Sequence, residues 1–576
     1  MLTYDLITDA GQLATVCGDL ERLPVIGMDS ETTGLDPHTS RPRLLQLADS
    51  PEHAHVIDLD RFNHNGALDP LRRLLAAERP LKVLHNAKFD YAFILKHLGA
   101  TIFRPWCTML ADQLLTSHNY GRKLSAVAQE YAGITVSKDE QRSDWSGELS
   151  ASQLLYAAGD GTCLLPVYNQ MRAKLVEQGL RQAAILEFDC VAAIADIELA
   201  GMPVDRPAME TLAAGLDRQR EETAAKLIEA FAGVAEQPSL FGAPNINLDS
   251  TKEVANLLRR LGVPIKDSTG DEELKELADN FPVVQLLRDY RGAMKLAGTY
   301  GHPLIKAIHG VTGRIHPDLQ QIGAATGRCS CNDPNLQNIP SDAAFRACFC
   351  APPGRTFVDS DYSQIELRIL AQLSQDEMFA DAFRRGIDFH TATAIDVLGD
   401  ASKRAISKRL NFGVVYGVGA VSFARRAGIL EDEARRIIEQ YFAKYRNVDR
   451  YLKQCEQRAL RDCEIRTASQ RRILYRFDKD DRAQRSAVAR AARNAPIQGT
   501  SADILKRALH YIATRYSGTD VRIVNIVHDE IIVECDERDA EEVKDFVRAA
   551  MLEAAYEFVP DVPIVVDQKV TQRWIK

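Results

Sequence analysis

Two groups of acidic side chains stand at the ends of short apolar runs, where a strand would turn. Asp361 follows Phe357-Val358, and Asp529 lies in His528-Asp529-Glu530, between the apolar runs 521–527 and 531–533. The second pattern predicts a hairpin with its acids at the turn. Two such carboxylates brought together can hold two Mg²⁺ ions roughly 3.5–4 Å apart, one activating an attacking hydroxyl and both stabilising an in-line phosphoryl transfer. Near the amino terminus, Asp29 and Glu31 follow the apolar run 24–28. Residues two apart on a strand share a face, so these two acids can share a metal. Asp90 adds a third acid at the next strand-to-helix junction, and Tyr156 and Asp160 stand one helical turn apart. Taken singly these signals are weak: an aspartate at a strand end is usually a turn residue, and Asp-x-Glu is almost uninformative.

A different chemistry is spaced along residues 403–417. Arg404, Lys408, Phe412 and Tyr416 recur every four residues and form one stripe on a helix. Cations at one end and rings at the other suit a nucleoside triphosphate. Alone, such a stripe reads better as an amphipathic helix with a solvated basic edge.

The elements that must position these groups change character along the chain. From about 22 to 180, short apolar strands (24–28 and 81–85) alternate with helices (71–78 and 89–98), which predicts an α/β domain. Residues 182–300 are almost continuously helical in period, with one Pro/Gly break at 237–244. From about 311 the pattern is mixed, with strands at 355–359 and 521–534 around a long helical block at 375–493. That arrangement predicts a sheet platform with a helical subdomain projecting from it.

With 576 residues, 45% hydrophobic and 26% charged, the chain is long enough for about three or four compact units. No apolar run reaches the roughly 18 residues of a membrane span, and the amino terminus lacks a secretory pattern, so a cytoplasmic location is expected. A net charge of −9 argues at first against nucleic acid. Metal-holding carboxylates account for a local acidic excess, however, and 466–493 is dense in arginine, so charge alone does not decide. Eleven scattered cysteines suit a reduced interior. Cys329, Cys331, Cys348 and Cys350 could together bind zinc, but their pairs are spaced more tightly than usual zinc ligands. They read better as small apolar residues.

Taken in order, the motifs resemble those of the family A DNA polymerases over nearly the whole chain. Asp361-Tyr362-Ser363-Gln364-Ile365-Glu366-Leu367-Arg368 matches motif A, Arg404 to Gly417 motif B, and His528-Asp529-Glu530 motif C. Thr326-Gly327-Arg328 precedes them, and Arg490, Asn494 and Gln498 fall in the segment between motifs B and C. The resemblance implies that Asp361 and Asp529 are metal ligands with Glu530 as an auxiliary acid. It implies that Lys408, Arg404 and His390 grip the triphosphate, with Lys408 placed to protonate the leaving pyrophosphate. Phe412 would pack on the incoming nucleotide, Tyr416 would guard the templating position, and Glu366 would be the steric gate against a ribose 2′-hydroxyl. Phe412 in place of Tyr also implies discrimination against dideoxynucleotides. Arg328, Arg490, Asn494, Gln498 and His528 would contact DNA. Most of them would read the minor groove, where every correct pair presents acceptors. The cysteines at 329, 331, 348 and 350 depart from the family pattern without removing a catalytic group.

Asp29, Glu31, Asp90 and Asp160 with Tyr156 resemble the DEDDy 3′→5′ exonucleases, in the place of a proofreading domain. By that resemblance the four acids bind two divalent metals and Tyr156 orients the attacking water. The expected architecture is an α/β exonuclease domain of ribonuclease H-like fold, followed by an α+β right-hand polymerase domain. Its expected divisions are exonuclease 1–182, helical thumb 183–310, palm 311–374, fingers 375–495 and palm again 496–576. Mg²⁺ is the expected cofactor, two ions per active site, with Mn²⁺ as a substitute. Primer-template DNA, a single-stranded 3′ end and dNTPs are the expected partners of a monomer. Because the chain begins in the exonuclease, no 5′-nuclease is expected ahead of it. Three rival readings are a single-subunit RNA polymerase, a nuclease with an inactive polymerase half, and a non-catalytic DNA-binding factor. Glu366 and the exonuclease acids weigh against the first, the full set of polymerase ligands against the second, and two sets of acids against the third.

Overall fold

A computed structural model of the chain describes residues 2–62, 66–137, 139–140, 142–235, 246–266, 268–415, 417–516 and 520–575. It divides into two compact units: 1–201 with 317–337 and 354–571, and 202–316 with 338–353 and 572–576.

The first unit holds both sheets that carry the acids. Its amino-terminal sheet contains β1 (Thr3–Ile7), β2 (Val25–Thr32), β3 (Pro42–Ser50), β4 (His53–Asp58), β5 (Leu81–Leu84) and β6 (Trp106–Cys107), in the order β1-β4-β3-β2-β5-β6. Strand β3 is antiparallel to both neighbours and the other pairs are parallel. Alternate residues of β2 divide the two faces. Ile26 and Met28 enter a core with Leu13, Cys17 and Leu20 of helix α1 (Ala10–Leu20). Gly27, Asp29 and Glu31 point to the other face. Helix α2 (Ala87–Phe93) starts behind Asn86, which holds φ 56°. Helix α3 (Ala151–Glu177) starts at a capping box in which Ser150 and Gln153 satisfy each other's backbone N–H groups. A Cβ on Gly27 would run into the carbonyl oxygen of Gly161, so only glycine lets α3 lie this close to β2. Helix α4 (Arg181–Ala200) follows.

The second sheet of this unit is antiparallel throughout. Its strands are β7 (Arg355–Tyr362), β8 (Arg522–Val527), β9 (Glu530–Asp536) and β10 (Val566–Thr571), in the order β8-β9-β7-β10. Around it lie α5 (Ile365–Ser374), α6 (Phe389–Leu398), α7 (Arg404–Val415) and α8 (Arg482–Arg515). The block 375–493 is not helical throughout. Strands Glu464–Arg466 and Arg472–Leu474 form a hairpin there, with Ile465 opposite Ile473, both buried, and Gln470 at φ 66° in the connection. Three-residue strands carry too short an alternation to stand out from flanking helical periodicity. The expected cuts at 182 and 495 both fall inside helices, α4 and α8.

The second unit is built on helices Arg206–Phe231, Thr251–Arg260, Asp271–Leu277 and Pro282–Tyr300, around Phe231, Val254, Leu258 and Leu287. Strand Met202–Pro203 pairs with Arg314–Ile315, and Arg346 lies 4.1 Å over the buried ring of Trp574. The expected break at 237–244 lies outside the described residues.

A charged cluster is buried where α4 meets α8. Glu187 accepts from Lys506 Nζ at 2.5 Å and from Gln321 Nε2 at 2.5 Å, and it pairs with Arg471 at 2.5 Å. Arg471 also pairs with Asp503 at 2.8 Å, and Lys506 donates to the Gly327 carbonyl at 2.7 Å. Burial alone would raise the Glu187 pKa, but Lys506 and Arg471 outweigh it and hold the pKa below the ordinary value. Gly327, at φ 85°, lies flat against the Arg471 guanidinium with no room for a side chain. Glu187→Leu takes the carboxylate from both buried cations, leaving Arg471 on Asp503 and Lys506 on the Gly327 carbonyl. It is expected to destabilise this unit by about 3–5 kcal/mol, measured by thermal or urea denaturation.

Candidate active sites

The first site lies on the β2 face covered by α3. One carboxylate oxygen from each of Asp29, Glu31 and Asp160 falls within 4.8 Å of the others. The close approach of Gly27 and Gly161 delivers Asp160 to that point. Asp90, on α2, stands outside this trio. It accepts from Ser30 Oγ at 2.6 Å and acts on Asp29 through its charge. Tyr156, one turn before Asp160 on α3, hydrogen-bonds to it. The same two residues line a cavity of about 580 Å³, with Leu155, Gly159 and Ile134.

The electrostatics of this site are those of a cation holder. Burial, then the charges of Asp90, Asp160 and Glu31, pushes the Asp29 pKa well up. Burial and two neighbouring carboxylates push Glu31 to about 9. Burial raises Asp90 to about 7 and Asp160 to about 6, and it raises the Tyr156 phenol as well. The buried Oδ1 of Asp160 has no hydrogen-bond partner. Like charges this close are tolerated as anions once a divalent cation sits among them, so these residues fit a metal.

The unfolded chain releases the carboxyl protons near pH 4, the folded chain only at about 6 to 9, so the metal-free protein loses stability as pH rises through that window. Asp29→Asn with Glu31→Gln is expected to raise the Tm of EDTA-treated protein at pH 8, by roughly 2–4 °C per kcal/mol relieved, and to change it little at pH 4. Melting curves at the two pH values check this.

The second site lies on the antiparallel sheet. Asp361, near the end of β7, is directly opposite Glu530 on β9, and the Tyr362 N–H donates to the Asp529 carbonyl at 3.4 Å. Asp529 is half-buried in the β8–β9 turn beside His528, which holds φ 57°. The backbone thus gathers the three acids at one end of the central hairpin. Asp567 on β10 is also directly opposite Asp361, so its side chain emerges on the same face. Sequence reasoning missed it, since an exposed acid in the last strand carries no signal of its own.

Arg404, Lys408 and Phe412 lie along α7, and the His390 ring on α6 is 5.5 Å from that of Phe412. Tyr416 lies outside the described residues. Arg404 is held by Asp388 at 2.8 Å. Burial would raise the Asp388 pKa, but hydrogen bonds from Arg404 and Thr391 keep it well below the carboxylate range. Burial, aided by the nearby Arg404 and Lys408 and against the pull of Asp388, lowers His390 to about 4. Asn411 Nδ2 donates to His390 Nδ1 at 3.0 Å, so the neutral ring carries its proton on Nε2. Asp388 and Asn411 were not singled out in the sequence, because neither lies on the stripe.

Glu366, at the start of α5, pairs with Arg328 at 2.5 Å. Arg328 and His528 line one small cavity with Gln337, another residue sequence reasoning did not select. Arg490, Asn494 and Gln498 recur every four residues on α8. Arg490 is exposed, and Asn494 is buried with an unpartnered Oδ1. Gly417, at φ 64°, packs against Arg490 and Arg493. Among the described residues, no cysteine belongs to a group of three or more potential metal ligands.

Comparison with known proteins matches residues 213–576 to DNA polymerase family A. The chain belongs to that family. Residues 4–176 of this family A polymerase match the 3'-5' exonuclease model, so an exonuclease domain precedes the polymerase domain. DNA polymerase I of Aquifex aeolicus is 32% identical, with all of both chains covered. DNA polymerase I of Pseudomonas aeruginosa is also 32% identical over 99% of this chain, which spans 66% of that protein. The solved POL domain of Pol1 from M. smegmatis, in complex with DNA primer-template and dNTP, is similar at 27% identity and a TM-score of 0.86, covering 99% of each chain. Among the described residues, no helix of this polymerase is long and apolar enough to cross a membrane.

Proposed function

We propose that this chain is a template-directed DNA polymerase that adds dNTPs to a primer 3′ end and removes misincorporated ends with its 3′→5′ exonuclease. The observation that carries the reading is the presence of two acidic clusters on two separate sheets of one family A chain, Asp29, Glu31 and Asp160 on one and Asp361, Asp529 and Glu530 on the other. In the polymerase site Asp361 and Asp529 would hold Mg²⁺, with Glu530 beside them. In the exonuclease site Asp29, Glu31, Asp90 and Asp160 would hold it. When bound, the ions supply Lewis-acid stabilisation of an in-line phosphoryl transfer.

The remaining roles belong to the chain's own side chains. Lys408, Arg404 and the Nε2–H of His390 bind the triphosphate, and Lys408 delivers a proton to the departing pyrophosphate. Phe412 packs on the incoming nucleotide and Tyr416 guards the templating position. Glu366, fixed by Arg328, closes the space that a 2′-hydroxyl would need. Arg328, Arg490, Asn494, Gln498 and His528 contact primer-template DNA. In the exonuclease site Tyr156 orients the attacking water. We read residues 1–182 as exonuclease, 183–310 as thumb, 311–374 and 496–576 as palm and 375–495 as fingers, in a protein that acts as a monomer.

Primer extension with Mg²⁺ on a mismatched 3′ end tests the reading: trimming followed by extension with dNTPs, and not with rNTPs, is expected. Extension with rNTPs alone would favour the RNA polymerase reading. Asn411→Leu removes the donor that fixes the His390 tautomer. It is expected to raise the dNTP KM about tenfold, the worth of one buried hydrogen bond of about 1–1.5 kcal/mol, with a smaller effect on kcat. Steady-state extension kinetics measure the split.

A further inference from the structure

We infer that Asp5, His53 and His55 form an additional metal site, of the zinc type, on the amino-terminal sheet. Strands β1 and β4 are parallel neighbours, with Asp5 directly opposite His55 and Thr3 opposite His53. The two histidines, two residues apart, therefore face the same side as Asp5. One ligand atom from each of the three lies within 4.8 Å of the others.

The individual distances point to a shared centre. His53 Nε2 is 3.4 Å and His55 Nδ1 3.7 Å from Asp5 Oδ2. Donors held about 2.0–2.2 Å from a tetrahedral zinc stand roughly 3.3–3.6 Å apart, so the His53 separation fits an edge of that tetrahedron and the His55 separation is slightly longer than one. The opposite nitrogen of each ring meets a single further carboxylate: His53 Nδ1 is 3.1 Å from Asp49, and His55 Nε2 is 3.4 Å from it. Metal-bound histidines commonly give their second N–H to a carboxylate, which fixes ring orientation and tautomer. Asp49 would do this for both rings at once. The Nδ1 of His55, the atom that would bind metal, is buried and has no hydrogen-bond partner. Asp5 is 66% exposed, which leaves an open side for water as a fourth ligand.

This cluster is separate from the exonuclease acids. His55 is opposite Leu47, and Leu47 is opposite Met28, so the histidines share the Met28 face, whereas Asp29 and Glu31 point to the other. The donor sets also differ in kind. Carboxylates alone suit hard cations such as Mg²⁺, while two imidazoles and one carboxylate favour zinc. The bound ion would pin edge strand β1 to β4. A metal-free ring of His–Asp ion pairs is the rival reading.

The test uses the full chain carrying Asp29→Ala and Glu31→Ala, with Zn²⁺ as the probe and Mg²⁺ in excess to fill the carboxylate sites. One zinc per chain is expected to survive gel filtration and to raise the Tm. Adding His53→Asn and His55→Asn should remove that equivalent, and Asp49→Asn should weaken binding by about 10–100-fold. Should the double histidine variant fail to fold, Co²⁺ decides the matter. Visible d–d bands of a tetrahedral ion are expected, and they should vanish with Asp5→Asn, at an exposed position. No retained zinc, zinc retained equally without the histidines, or Co²⁺ bands unchanged by Asp5→Asn would overturn the assignment in favour of the ion-pair ring.

Discussion

Asp529→Asn is expected to slow primer extension at least about a thousandfold while the same protein continues to shorten single-stranded 3′ ends at the wild-type rate. The substitution keeps the size of the side chain in the β8–β9 turn and removes one charge from the end of the hairpin, where Asp361, Glu530 and Asp567 remain. A thousandfold loss corresponds to about 4 kcal/mol of transition-state stabilisation, a reasonable share for a carboxylate that would hold a catalytic ion. Asp361→Asn should behave alike. Single-turnover extension and a separate exonuclease assay on one preparation make the comparison. Loss of both activities together would mean that the two carboxylate sites are not independent.

The complementary result is expected from Asp29→Ala with Glu31→Ala. Removal of two of the three acids whose oxygens lie within 4.8 Å of one another should lower exonuclease activity by at least roughly ten-thousandfold, or about 5.5 kcal/mol. Extension from a matched end should be unaffected. Extension from a mismatched end should fall, because the terminal nucleotide can no longer be removed first. A variant that extended mismatched ends as well as the wild type would show that trimming at this site does not serve synthesis.

Asp29, Glu31, Asp361 and Asp529 were legible in the sequence because they stand on or beside short apolar strands, and strand alternation fixes which residues of one strand share a face. Asp29 with Glu31 came from that rule, while the pairing of Asp361 with the Asp529 turn rested on the order of the motifs. The Arg404–Phe412 stripe was legible for the equivalent helical reason. What the sequence concealed were contacts between residues that no strand or helix periodicity relates. Asp388 reaches Arg404, Asn411 turns His390, and Arg328 meets Glu366 only once the helices have packed. The hairpin at 464–474 was hidden by its brevity, and the Asp5–His53–His55 cluster by the pairing of β1 with β4 across the intervening chain. Of the four cysteines read as small apolar residues, Cys331 and Cys348 are buried and Cys329 and Cys350 partly so, and all four are free thiols.

The buried Glu187 has a practical consequence for anyone trimming this enzyme. A polymerase fragment engineered by cutting at the unit boundary after residue 201 would discard helix α4, and with it the carboxylate that neutralises Lys506 and Arg471 on the retained side. Those cations touch Gly327, the residue before Arg328, so the cut would loosen the very loop that supports Glu366. An exonuclease-free reagent is therefore better made by exchanging Asp29 and Glu31 in the intact chain than by shortening it. A shorter version should begin upstream of Arg181, where α4 starts.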